Sequence, residues 1–164
     1  MRKRVAEMER FNKILVSVII GSQSDEEIMQ SCTKHLDYFG ISNEMKVLSA
    51  HRNPDALQEY LSQLEMRETK IIIAAAGMAA HLPGVIASKT IVPVIGVPLP
   101  GSHLNGVDAL YSIVQMPAGI PVATVAVGKA GATNAAVLAA EILALCDGDI
   151  TDKLRTFRKQ GSKI

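Results

Sequence analysis

Three loops in this sequence carry side chains of the kinds that acid–base and anion-binding chemistry use. In Ser49-Ala-His-Arg-Asn-Pro-Asp55 an imidazole stands beside a guanidinium. His51 can exchange a proton near neutral pH, Arg52 can fork onto a phosphate, and Ser49 can add a donor. The plainer account is a solvated histidine on a loop whose Asn53-Pro54-Asp55 starts a helix. In Gly21-Ser-Gln-Ser-Asp25 the hydroxyls of Ser22 and Ser24 lie beside the amides of a helix start, where phosphate is welcome, and Asp25 can meet a ribose hydroxyl. Ser24 and Glu27 also have capping-box spacing, which needs no ligand. The third loop offers Ala76, Gly77, Ala79, Ala80 and His81. Its small residues can floor a flat ligand and present bare amides to a carboxylate. Tight packing around a structural histidine explains the same residues equally simply.

Other chemistries fail on spacing. Gly128-Lys-Ala-Gly131 tempts a nucleotide reading, but a Walker loop ends in Gly-Lys-Ser/Thr, so these residues read as a structural turn, with Thr133 or Asn134 capping the next helix. No Gly-x-Gly-x-x-Gly follows the first strand, no acidic pocket marks a phosphoacceptor, and no serine elbow is present. The four histidines, at positions 35, 51, 81 and 103, lack zinc-site spacing. The expectation is therefore no metal and no cofactor.

The loops follow a regular set of elements. Short β-branched runs at Lys13 to Ile20, Glu44 to Leu48, Lys70 to Ala75, Pro93 to Val97 and Pro121 to Val127 alternate with helical patterns. That alternation predicts an α/β fold, a three-layer doubly wound parallel sheet of five strands, with ligands beyond the strands' carboxyl ends. Residues 1–12 read as a charged N-terminal extension, and 13–164 as a single domain ending in a helical tail. The helix Asn134 to Leu145 is apolar on nearly every face, which suggests burial against another subunit rather than a central place in its own domain. Thr151 to Lys163 reads as an amphipathic or fraying terminal helix with cations near its end.

Composition narrows the partners. Of 164 residues, 48% are hydrophobic but only 4% aromatic, a supply of Ile, Val, Leu and Ala suited to a buried parallel sheet. With 17 basic and 16 acidic residues the net charge is +1, too small a field to gather nucleic acid or an anionic membrane. No apolar run suggests a signal peptide or a membrane span, and Cys32 and Cys146, both in stretches that read as helix, match no redox or metal motif. These features predict a soluble cytoplasmic protein.

Taken together, Gly21-Ser-Gln-Ser-Asp25, Ser49-Ala-His-Arg-Asn-Pro-Asp55, Ala79-Ala-His-Leu-Pro-Gly84, the Gly106 to Pro117 stretch and Gly128-Lys-Ala-Gly131 resemble the PurE family in order and spacing, over about residues 14 to 146. Met78 stands where many relatives have a second glycine. The Ala79 to Gly84 loop is similar to that of the bacterial-type mutases, which interconvert N5-carboxyaminoimidazole ribonucleotide and 4-carboxy-5-aminoimidazole ribonucleotide in purine biosynthesis. The other branch carboxylates with free carbon dioxide and remains an alternative, as does a non-catalytic nucleotide-binding module. The resemblance implies a flavodoxin-like fold, a homo-octamer in which the helix after Asn134 or the tail reaches a neighbour, and a cofactor-independent reaction. It implies His51 as general acid and base, Ser49, Arg52 and Ser22 or Ser24 around phosphate, and Asp25 at the ribose. Ala76, Gly77, Ala79, Ala80 and His81 would then hold the carboxylate.

Overall fold

The computed structural model describes residues 14–64 and 67–164. The extension expected over residues 1–12, together with Lys13, lies outside the described residues. The β-branched runs form β1 (Val16–Ile20), β2 (Asn43–Val47), β3 (Ile71–Ala76), β4 (Val94–Pro98) and β5 (Ala123–Thr124). Every pairing is parallel, in the order β2-β1-β3-β4-β5, the flavodoxin-like arrangement.

β1, β3 and β4 are buried along their whole lengths, as strands covered on both faces must be. Alternation divides their side chains between two cores. Val16, Val18 and Ile20 pack with residues of α1 (Glu26–Phe39) and α5 (Lys129–Ala144). Ile19 faces the opposite core with Leu57 of α2 (Pro54–Leu64), Ile86 of α3 (Leu82–Ala87) and Ile113 of α4 (Val107–Val114). The tail is no frayed end: α6 (Gly148–Lys159) is capped by Asp147 and packs on α1 and α5. Its buried Phe157 meets Phe39 edge-on at 5.3 Å between ring centroids. Among the described residues no helix is long and apolar enough to cross a membrane.

Three expectations are corrected on the β5 and α5 side. The expected strand over Pro121 to Val127 shrinks to two ladder residues, Ala123 and Thr124; beyond them the chain keeps only single bonds to β4, from the Val125 and Gly128 amides, before α5 begins at Lys129. The helix starts at Lys129, and neither Thr133 nor Asn134 caps it. Gly128 takes that place with φ 72° and ψ −145°, a conformation only glycine adopts cheaply. Thr133 lies inside the helix, its hydroxyl 2.8 Å from that of Ser31. Packing within the domain buries much of α5, since α1, β3, β4 and α6 lie against it and its alanines at 132, 135, 136, 139 and 140 are buried. Exposed apolar residues include a stripe on and before α4, Leu104, Val107, Tyr111 and Val114, and Ile142 and Leu145 at the end of α5. Cys146 lies just past the end of α5, not within it.

A polar cluster pins β1, β2 and α2 together. The buried Ser17 hydroxyl lies 2.6 Å from the Tyr60 hydroxyl, which donates to Glu44 Oε1 at 2.7 Å. Arg67 and Lys46 reach the same carboxylate at 3.0 and 3.3 Å. Partial burial by itself raises the pKa of Glu44, but the Tyr60 hydrogen bond and the two cations outweigh it and hold the carboxyl below its ordinary value of 4.5. Burial, with help from the neighbouring carboxylate, pushes the Tyr60 phenol up.

Two outcomes follow for stability. A lowered folded-state pKa means that Glu44 stabilises the fold fully above its unfolded-state pKa, and that this contribution fades as pH falls through the folded value. Glu44→Gln is therefore expected to melt lower than the parent at pH 7, with the gap closing between about pH 5 and pH 3; a gap independent of pH would rule out the ionic contribution. At Gly131 an added Cβ would stand 1.7 Å from the Ala126 carbonyl oxygen, so backbone must move. Gly131→Ala is expected to lower unfolding free energy by about 1–3 kcal/mol in urea titration; an unchanged midpoint would show that α5 lifts off freely.

Candidate active site

All five strands end at one edge of the sheet, and the chain's connections diverge on either side of β1 and β3, which opens a crevice between their loops. Ile20 pairs level with Ala75, and the Gly21 amide donates to the Ala75 carbonyl at 3.3 Å. Four loops meet there around a cleft of about 410 Å³. Gly21, Ser22, Ser24 and Asp25 follow β1, Ser49 to Arg52 follow β2, Ala76 to Leu82 follow β3, and Pro100 and Gly101 follow β4. Every residue expected at the site thus borders one cavity. A larger cavity of about 610 Å³, bordered by Leu15, Phe39 and Lys153 among others, includes none of them.

The first loop caps itself. Ser22, not Ser24, heads the turn: its Oγ accepts from the Ser24 amide at 3.3 Å, while Asp25 Oδ2 accepts from the Ser22 amide at 3.1 Å. This reciprocal pair replaces the expected Ser24 and Glu27 box because a short 3₁₀ turn, Gln23–Asp25, precedes α1. Burial raises the Asp25 pKa, against the lowering effect of the Ser22 amide and the Ser24 hydroxyl. The second loop is held in the same manner. The Ser49 amide donates to Asn53 Oδ1 at 2.6 Å, and Ser49 Oγ accepts from the amides of His51 and Arg52 at 3.3 and 3.2 Å. With its oxygen serving these amides, the Ser49 hydroxyl still has a proton to donate into the cleft. Arg52 is exposed and makes no ion pair with any described residue.

Across the cleft, Ala76 ends β3 and its carbonyl accepts from the Leu99 amide at 2.9 Å. Gly77 lies so close to the chain leaving β4 that a Cβ would stand 3.2 Å from the Leu99 carbonyl oxygen. Met78 has a left-handed backbone, φ 55°, the conformation a glycine would adopt without strain. Among the described residues no main-chain acceptor takes the amides of Met78, Ala79 or Ala80. His51 Nε2 lies 2.7 Å from His81 Nδ1, with the rings edge to face at 84°.

That histidine pair is what sequence reading missed. Both rings were candidates, on loops 30 residues apart, but only the strand order, with β2 and β3 flanking β1, brings the loops together. Pro100 and Gly101 were also missed, although their place after β4 was itself a signal. Of the remaining histidines, His35 is buried with Nδ1 2.7 Å from the Ser31 carbonyl, and the described residues form no cluster suited to a metal ion.

Known proteins resemble this chain over most of its length. The AIR carboxylase family model matches residues 15–163. The N5-carboxyaminoimidazole ribonucleotide mutase of Haemophilus influenzae is 53% identical over 149 residues, covering 91% of each chain. That of Bacillus subtilis is 54% identical over 145 residues, 88% of this chain and 90% of its own. Among solved structures, Treponema denticola PurE superposes with a TM-score of 0.81 at 30% identity, covering 90% of both chains. A family match over nearly the whole described chain, relatives sharing more than half of the aligned residues, and a common sheet leave one conclusion: this chain belongs to the AIR carboxylase family.

Proposed function

We propose that this protein interconverts N5-carboxyaminoimidazole ribonucleotide and 4-carboxy-5-aminoimidazole ribonucleotide, as an isomerase of purine biosynthesis in the cytoplasm. The observation that carries the reading is the His51 ring at the cleft, with the small-residue loop and an Arg52 that has no ion-pair partner among the described residues. The names borne by the relatives supply the substrate.

Arg52, Ser49, Ser22 and Ser24 hold the phosphate, and Asp25 exchanges its bond to the Ser22 amide for a ribose hydroxyl. Ala76, Gly77, Ala79 and Ala80 line the carboxylate position, where the amides beyond Gly77 supply donors. Protonated His51 gives its proton to the carbamate nitrogen. The bond from nitrogen to carboxyl carbon then breaks, and its electrons stay on nitrogen, leaving aminoimidazole ribonucleotide and carbon dioxide together. The ring carbon attacks the carbon dioxide, and neutral His51 removes the proton from that carbon, restoring both the aromatic ring and its own starting state. One proton leaves and returns, so the cycle balances without metal, nucleotide or redox partner. Holding both fragments in place supplies the remaining rate.

His81 positions the acid–base group. Between Nε2 of His51 and Nδ1 of His81 only one nitrogen can carry the proton, so the contact couples the tautomer of one ring to that of the other. For the assembly we propose the homo-octamer that the resemblance implies, with the exposed apolar stripe by α4 giving it surface to bury. The thiols of Cys32 and Cys146 are both unpaired, which suits a reducing compartment.

Labelled bicarbonate tests the reading directly. Product formed from the carboxyamino substrate is expected to keep most of its original carboxylate; complete labelling would instead favour a carboxylase that uses free carbon dioxide. His51→Asn is expected to bind ribonucleotide but to lose at least about a hundredfold in turnover, and near-normal turnover would refute its role. Arg52→Ala should raise KM far more than it lowers kcat, which steady-state kinetics would detect. For His81→Ala, a displaced pH–rate profile is expected, partly restored in His81→Asn, whose amide can approximate Nδ1; a loss of activity with no change in the profile would make His81 merely structural.

A further inference from the structure

Met78 is the long, flexible apolar side chain among the lining of a cleft whose other exposed groups are hydroxyls, imidazoles, a guanidinium, the Pro100 ring and small residues. It is 63% exposed, whereas Leu82, the large apolar residue that begins α3 just after the loop, is 3% exposed and belongs to the core. Its backbone holds φ 55°, a region a bulky side chain enters only against resistance. Both flanks of the loop are fixed, at Ala76 by the Leu99 amide and at His81 by the contact with His51. A thioether kept at a strained and solvent-facing position spends stability where alternatives without strain exist, and it does so beside the reacting histidine.

We propose that the Met78 side chain is a movable cover over the carboxylate loop, retaining the carbon dioxide released between the two bond changes. The inference rests on the proposed mutase reaction. Carbon dioxide is uncharged, so the polar walls that hold a ribonucleotide give it little reason to stay. Its partition between recapture by the ring carbon and escape to water is then set by what covers the loop. An unbranched thioether with three rotatable bonds conforms to whatever lies beneath it and excludes water without a fixed shape. A glycine at this position would satisfy the backbone and leave that side of the cleft open.

The test measures incorporated label per turnover in the carboxyamino-to-carboxy direction, with labelled bicarbonate and carbonic anhydrase in the buffer, for the parent chain and Met78→Leu, Met78→Ala and Met78→Gly. Counting per turnover separates leakage from any change in rate, and thermal melts verify that each variant is folded. Expected is low incorporation in the parent and the leucine variant, with a severalfold rise in both alanine and glycine variants. A flat series overturns the cover and leaves the mutase reading standing. A rise in the glycine variant alone also overturns it, because backbone freedom rather than the side chain would then govern escape. Full labelling of product by the parent chain refutes the mutase reading, and with it any role in retention.

Discussion

The pairing of β1 with β3 is the constraint on which the site depends. These strands run side by side at the middle of the sheet, in register from Val16 opposite Ile71 to Ile20 opposite Ala75. Their side chains are apolar or small and their backbones satisfy one another, so neither strand can slide without moving a whole row of side chains to the wrong face. Because they stop level, the serine loop after β1 and the small-residue loop after β3 begin at the same height. β2 adds the histidine loop on one side and β4 adds Pro100 and Gly101 on the other. The cleft is a product of strand order and register, and its polar residues decorate an edge that the apolar core has already fixed.

On that edge the polar loops are organised before any ligand arrives. Ser22 and Asp25 close the first loop, Ser49 and Asn53 the second, and the imidazoles of His51 and His81 bridge from the second to the third. Such arrangements limit how far a functional group must travel during a reaction, a condition for efficient proton transfer. Arg52 differs in having no acidic partner among the described residues, leaving its charge available to an anion.

The sequence was most legible where a local signal had a single physical cause. β-branched runs revealed the strands, and the strand-end rule placed the expected site residues around one cleft. It was least legible where a signal had two causes. The apolar run after Asn134 suits a helix between subunits as well as one wedged inside its own domain; α1 and α6 bury much of it, while Ile142 and Leu145 stay exposed. Capping residues were ambiguous for the same reason: Ser22, Ser24, Thr133 and Asn134 all have capping chemistry, yet a 3₁₀ turn chose Ser22 and a glycine conformation chose Gly128. The contact between His51 and His81 could not be read from spacing at all, since nothing along 30 residues of chain encodes a distance of 2.7 Å between two rings.

The self-closing first loop bears on selectivity. Its half-buried carboxylate at Asp25 already has the Ser22 amide as donor, so in the proposed complex a ribose hydroxyl replaces a bond instead of adding one. Net attraction from such an exchange is small. Under the proposed assignment the loop would discriminate by penalty: a molecule of similar shape that displaced the Ser22 amide without offering a hydroxyl would strip Asp25 of that donor and give nothing back. In that proposal, rejection of the wrong sugar would come from a bond the loop already makes at rest.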